Sequence, residues 1–148
     1  MGQLAEIKNF RNQYYFLSNF SLSLVYFEGN WYKSVESAFQ AAKTLDPETR
    51  EDFSRYDSST AKRKGRLLKL RSDWNDVKKD IMLTLIREKF KKNPKLKLKL
   101  LETGSKQLIE GNTWGDIYWG MCKGVGENNL GKIVMQVRSE IQKEMSGR

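Results

Sequence analysis

In the stretch SVESAFQAAKT, Ser34 to Thr44, three polar side chains fall where a helical period stacks them. Glu36, Gln40 and Lys43 stand at i, i+4 and i+7, and so share one face. Small or apolar residues surround them: Val35, Ala38, Phe39, Ala41 and Ala42. A carboxyl, an amide and an amine in one file can move a proton, hold a polar group and attack an electron-poor carbon. A second group lies in EGNTWGDIYWG, residues 110–120, where Glu110, Asp116, Trp114, Tyr118 and Trp119 are interleaved with three glycines. Glycine lets backbone approach a ligand closely, and an indole offers a flat face to a base or a sugar. Asp116, set between the tryptophans, is a candidate acid or base. Each group also has a plainer reading. Glu36 and Lys43 can be half of a surface ion-pair network with Gln40 in solvent, and the tryptophans can be the core of a turn-rich strand pair.

Composition narrows the chemistry. The 148-residue chain has one cysteine, Cys122, and no histidine. That excludes an internal disulfide, a zinc site of the usual Cys/His type and histidine-based acid–base catalysis. Protons must then move through Asp, Glu, Lys, Tyr or water. Neither a metal nor a cofactor is expected. The net charge of +9 suits anionic partners such as phosphates, nucleotides or nucleic acid, or simply a solvated basic surface. No apolar window of membrane-spanning length occurs. The start MGQLAEIKNF has no basic segment followed by an apolar one, and Glu6 does not fit an acylation signal. A cytoplasmic protein with no membrane partner is expected.

The elements that would position these groups follow from local signals. SLSLVYFE (21–28), a turn at Gly29-Asn30 and WYK (31–33) predict a β-hairpin. Ser34 is placed to cap the helix that carries Glu36 in its first turn. Asp46-Pro47 starts another helix, running to about Tyr56. DSST (57–60) breaks it, and helix resumes over 60–70 with Gly65 inside. The clearest helix is 73–93, where Val77, Ile81, Met82, Leu85, Ile86, Lys89 and Phe90 keep the helical period. Pro94 starts a further helix that Gly104 ends. The last helix, from about Asn129 to Glu144, turns Leu130, Ile133, Val134, Val137 and Ile141 inward. The sum is an α+β chain, predominantly helical, with a small β-hairpin, in one domain.

Three other stretches carry weaker signals. FLSNF (16–20) sets Ser18 and Asn19 between aromatics. GVGENNLGK (124–132) places glycines before a helix start, where an anion can sit, although a flexible loop with an Asn cap explains it equally well. The five lysines of KKNPKLKLKL (91–100) read as the solvated face of a packed helix.

Taken in order, these pieces resemble the YbiA-like family, also called NADAR, over nearly the whole chain. FLSNF resembles its N-terminal signature. Val35, Glu36, Phe39, Gln40 and Lys43 match its V-E-x-x-[FY]-Q-x-x-K helix. Lys89, Phe90, Asn93, Leu96, Leu101, Thr103 and Gly104 resemble its K-F block. Glu110, Asn112, Trp114, Asp116, Trp119 and Gly120 resemble its Trp-rich block. Gly126, Asn128, Leu130, Gly131, Met135 and Arg138 resemble its closing block. Two positions depart. The family commonly has His after the helix glutamate, where this chain has Ser37, and an acidic residue straight after the first Trp of its Trp-rich block, where Gly115 stands here.

The resemblance implies a single NADAR domain over 1–148 and N-glycoside cleavage. Its implied substrates are phosphorylated ribosylamino-pyrimidine intermediates of riboflavin synthesis, or ADP-ribose attached to a base, with ADP-ribosylated nucleic acid among them. A ribosyl C1–N bond breaks through an oxocarbenium-like transition state that a carboxylate stabilises. On that footing Glu36, Lys43 and Asp116 are the expected catalytic residues. Glu36 would serve as acid–base or sugar anchor, and Lys43 as an amine able to form an imine with the opened ribose. Asp116 would be the second carboxylate. Ser18, Asn19, Gln40, Trp74, Trp114, Trp119, Gly120 and Asn128 are expected to bind substrate. Direct water attack remains open beside the imine route. So does a module that binds ADP-ribose, nucleotide or nucleic acid without turnover.

Overall fold

A computed structural model describes residues 5–147. The first four residues, on which the reading of the N-terminus rests in part, lie outside the described residues. In chain order the elements are β1 (Glu6–Ile7), a short 3₁₀ helix (Asn12–Leu17), β2 (Val25–Phe27), β3 (Asn30–Tyr32), α1 (Val35–Ala41), α2 (Pro47–Phe53), α3 (Ser58–Gly65), α4 (Trp74–Lys91), α5 (Pro94–Glu102), β4 (Gln107–Leu108), β5 (Gly111–Asn112), β6 (Met121–Cys122) and α6 (Asn129–Ser146). The chain is α+β and mainly helical. Among the described residues no helix is long and apolar enough to cross a membrane. The described backbone divides into two compact units, residues 19–89 and residues 5–18 with 90–147.

In the 19–89 unit, β2 and β3 pair antiparallel, with Val25 opposite Tyr32 and Phe27 opposite Asn30. The turn is Glu28-Gly29, both at positive φ (44° and 100°), as a two-residue hairpin loop requires. The expected turn at Gly29-Asn30 is therefore one residue late, because Asn30 already pairs in β3. Val25, Phe27 and Tyr32 are buried, while Tyr26 and Trp31 meet edge to face on the exposed side at 5.3 Å. Before β2 the alternation expected over 21–28 continues in the same phase, with serines on the buried face. Ser21 and Ser23 are buried, and Leu22 and Leu24 are exposed. The inward Ser21 Oγ accepts a hydrogen bond from the buried Lys89 Nζ at 3.0 Å.

Side-chain caps start α1, α2 and α3, each accepting a backbone N–H three residues on. They are Ser34 from Ser37 N, Asp46 from Thr49 N and Asp57 from Thr60 N. Asp57 moves the start of α3 two residues ahead of the expected position, since DSST supplies the cap and first turn rather than a break. The helix then ends at Gly65 instead of Leu70, and α2 ends at Phe53 instead of about Tyr56. Val35, Ala38, Phe39 and Ala41 of α1 are buried, and α1 packs on both α2 and α3. Ser37 Oγ donates to Phe53 O at 2.7 Å, which ties α1 to the end of α2.

In the other unit, two parallel pairs of two-residue strands appear that local patterning did not announce. They are β1 with β4, and β5 with β6. Asn93 caps α5, and Gly104, at φ 62°, follows its end as a left-handed C′ residue should. The inward residues expected for α6, Leu130, Ile133, Val134, Val137 and Ile141, are all buried. Arg138 on the same helix is buried too and donates to Thr103 Oγ1 at 2.9 Å.

Candidate active site

Two members of the expected file, Glu36 and Gln40, lie on α1 and are bonded to each other. Gln40 Nε2 donates to Glu36 Oε2 at 2.6 Å, the short distance of a charge-assisted bond. Glu36 is half-buried in the first turn of α1, where the helix dipole favours a carboxylate. Its own backbone N–H donates to Asn19 O at 3.0 Å, so the Asn19 backbone braces the helix start. Gln40 is 6% exposed, and its Oε1 has no hydrogen-bond partner among the described residues.

Lys43 stands just past the helix rather than on it. The helix closes at Ala41, and Lys43 follows in a tighter turn whose N–H donates to Gln40 O at 3.2 Å. Its backbone O accepts from Arg71 N at 2.8 Å, which anchors that turn. Burial is the largest influence on the Lys43 amine and lowers its pKa below the ordinary lysine value. The Glu36 carboxylate pulls the other way, and the nearby Arg66 and Lys62 add to the lowering. A partly desolvated amine is more often neutral, and its lone pair is more available, than that of a surface lysine.

Asn19 is buried, with its Nδ2 against Met82 Sδ at 3.6 Å and its Oδ1 without a partner among the described residues. Trp74 is 6% exposed and packs on Phe39, ring centroids 4.9 Å apart. As it stands its indole is core, which does not match the stacking face expected of it. Ser18 is half-buried at the end of the 3₁₀ helix, its N–H donating to Tyr15 O.

The Trp-rich segment forms a second group, organised by Asp116 and Asn112. Asp116 Oδ1 accepts from Tyr118 N at 3.1 Å and Trp119 N at 2.9 Å. Asn112 brackets the same turn, Oδ1 accepting from Asp116 N and Nδ2 donating to Asp116 O. Gly115 takes φ 85°, so the residue that separates Trp114 from Asp116 also makes the turn between them. Trp114 is 56% exposed, while Trp119 is half-buried and meets Tyr118 edge to face at 4.8 Å. Gly120 is buried where a Cβ would strike Glu110 and Asn112. Asn128, at φ 52°, is buried and gives no cap bond to α6. Its amide instead accepts from Glu110 N and donates to Leu108 O, both at 2.9 Å, which stitches the glycine-rich loop to β4.

Sequence reasoning missed three contributors. Arg66 and Lys62, which bear on Lys43, belong to the run KRKGR, where the density of charge was the available signal. Gly65 was read only as a helix interruption. It faces Gln40 so closely that a Cβ there would strike the Gln40 side chain.

Residues 7–142 match the NADAR domain family. The chain belongs to that family. It is 37% identical to N-glycosidase YbiA of Shigella flexneri over 84% of this chain and 79% of that one. An N-glycosidase of Nostoc punctiforme is 30% identical over 87% and 86% of the two chains. A riboflavin biosynthesis protein of Vibrio vulnificus is 37% identical over 86% of this chain and 35% of its own length. The NMR structure of Escherichia coli YbiA superposes with a TM-score of 0.86 at 32% identity, covering 99% of this chain and 91% of that one.

Proposed function

We propose that this NADAR protein is an N-glycosidase that cleaves the C1–N bond between a phosphorylated ribose and a nucleobase-like amine. The substrate class is a ribosylamino-pyrimidine 5-phosphate or an ADP-ribosylated base such as guanine, free or in nucleic acid, met in the cytoplasm. The reading treats residues 1–148 as one NADAR domain and needs no cofactor or metal. The observation that carries it is the Glu36–Gln40–Lys43 file, a clamped carboxylate beside a partly desolvated amine. The N-glycosidase names of the YbiA and Nostoc relatives support the reaction type.

In the mechanism we favour, Lys43 Nζ attacks C1 as its amine loses a proton. Glu36 takes that proton, the ring C1–O bond opens with its oxygen protonated by water, and the C1–N bond to the base then breaks as Glu36 passes its proton to the leaving amine. The result is a protonated imine between Lys43 and C1, which water hydrolyses to the phosphorylated ribose and free lysine. Asp116 is proposed as the second carboxylate, and the exposed Trp114 indole as a stacking face. Trp119, Gly120, Asn128, Ser18 and Asn19 are proposed to shape the substrate contacts.

A second reading, binding of ADP-ribose, nucleotide or nucleic acid without turnover, draws on the +9 charge and the exposed Trp114. Incubation with a ribosylamino-pyrimidine 5-phosphate and with ADP-ribosylated guanine, followed by chromatography for free base, separates the two. Base release supports the glycosidase, and binding without release from either substrate overturns it. Borohydride added during turnover, then peptide mass spectrometry, tests the imine. A reduced ribosyl adduct on the Lys43 peptide is expected. Its absence, with a Lys43→Arg variant that stays active, leaves direct water attack.

A further inference from the structure

Gly65 closes α3 with its backbone against the side chain of Gln40. A Cβ built at Gly65 would overlap Gln40 Oε1 and lie 2.7 Å from Gln40 Cδ and 3.1 Å from Gln40 Cβ. Real Cβ atoms do not approach a neighbour as closely as the first two. The φ of Gly65 is not in the left-handed range, so the glycine is needed for space and not for backbone conformation. Gln40 cannot retreat cheaply. It is 6% exposed on a helix whose other faces are buried, and its Nε2 is held at 2.6 Å by Glu36 Oε2. The three residues form a chain of contacts, with Gly65 against the Gln40 amide and the Gln40 amide on the Glu36 carboxylate.

We propose that Gly65 is a positioning residue for Glu36, acting through Gln40: the bare α3 backbone sets the Gln40 amide so that it holds the carboxylate in its working orientation. The proposal rests on the reading of Glu36 as the acid–base group. A misplacement of about 1 Å in a reacting group can cost on the order of 100-fold in rate. A methyl at position 65 has to move the Gln40 amide by a comparable distance, because its oxygen now stands where that methyl would be.

The test is a double-mutant cycle on base release, with Gly65→Ala, Gln40→Ala and the double variant, and Glu36→Gln measured in parallel. Circular dichroism and melting temperature report folding. Gly65→Ala and Gln40→Ala are each expected to lower kcat by about 10- to 100-fold, with KM changed less than about threefold. The double variant should be no slower than Gln40→Ala alone, since the overlaps with Oε1 and Cδ disappear with the amide and only the milder 3.1 Å contact with Cβ remains. If Gly65→Ala fails to fold, Gln40→Ala and the double variant decide. The double variant should fold and match Gln40→Ala, and a further loss overturns the proposal. So does a cycle in which the two losses multiply, or a Gly65→Ala protein that keeps more than half of kcat. If Glu36→Gln is inactive in either of those cases, only the role of Gly65 falls. If Glu36→Gln keeps the wild-type rate, the acid–base reading falls and takes the proposal with it.

Discussion

Replacing Glu36 by glutamine keeps the length and planarity of the side chain and removes its charge. Gln40 Nε2 donates to Glu36 Oε2 at 2.6 Å, and an amide oxygen at position 36 can accept that bond. What is lost for folding is the difference between a charge-assisted and a neutral bond, about 1 kcal/mol. The dipole term of a carboxylate in a first helical turn adds about 0.3–1 kcal/mol. The buried residues of α1, Val35, Ala38, Phe39 and Ala41, are untouched. A total near 1–2 kcal/mol lowers Tm by only a few degrees in a chain of this size. The catalytic loss should be larger. A positioned acid–base group contributes on the order of 100- to 10,000-fold, or about 3–5 kcal/mol of transition-state stabilisation. The assay is free-base release under saturating substrate, beside a urea or thermal melt of the same preparation. A variant that keeps more than about half of the wild-type rate refutes the acid–base role. One that loses rate only in step with folded protein shows that Glu36 serves the helix and not the reaction.

Three further outcomes are expected. Arg66→Ala removes a positive charge that lowers the Lys43 pKa, so the rise of rate with pH should move to higher pH. An unmoved profile means that the neutral Lys43 amine does not limit the rate. Asp116→Asn keeps an oxygen able to accept from Tyr118 N and Trp119 N, so the loop should hold while kcat falls. Asp116→Ala should lose loop order as well, seen in near-UV circular dichroism, and an Asp116→Asn protein with full kcat would reduce Asp116 to a turn former. Lys89 is buried, and desolvation lowers its pKa to about 7 from an ordinary 10.5. Between those values the unfolded chain holds a proton that the folded chain does not. Stability should therefore rise with pH by up to about 1.4 kcal/mol per unit across that window, with the full penalty remaining below it. Urea unfolding at neutral and alkaline pH checks this slope, which Lys89→Met should flatten.

What could be read from the sequence was local. Ser34 and Asp46 announced helices because a cap and its N–H partner lie three residues apart. α4 and α6 announced themselves by apolar period. The Glu36–Gln40 pair was legible for the same reason, since i+4 spacing alone brings Gln40 onto Glu36, whereas the helix ends before Lys43. Where a distant partner decides, the pattern misleads. SLSL has the alternation of a half-buried strand, but its serines face inward, and Ser21 meets Lys89 of α4. Two-residue parallel strands such as β1 and β4 are too short to show a period and exist only because the far segment arrives. Trp74 shares its residue type with a stacking platform, but it is 6% exposed and packs on Phe39, a packing that its sequence neighbours do not announce.

Gly65 makes the limit sharpest. A glycine that serves a turn betrays itself through neighbouring turn residues, as Gly29 does beside Asn30. A glycine chosen for space, with unexceptional φ, leaves no local trace, and a helix reading counts it only as a weak point. Its reason stands on another helix, in an amide whose oxygen fills the volume a methyl would take. That amide was itself legible only as one third of the expected file. The spacing names the residues that can do chemistry, while the packing of α3 on α1 sets how tightly they are held. Substitutions that leave the spacing intact and change only that packing should therefore cost rate before they cost stability.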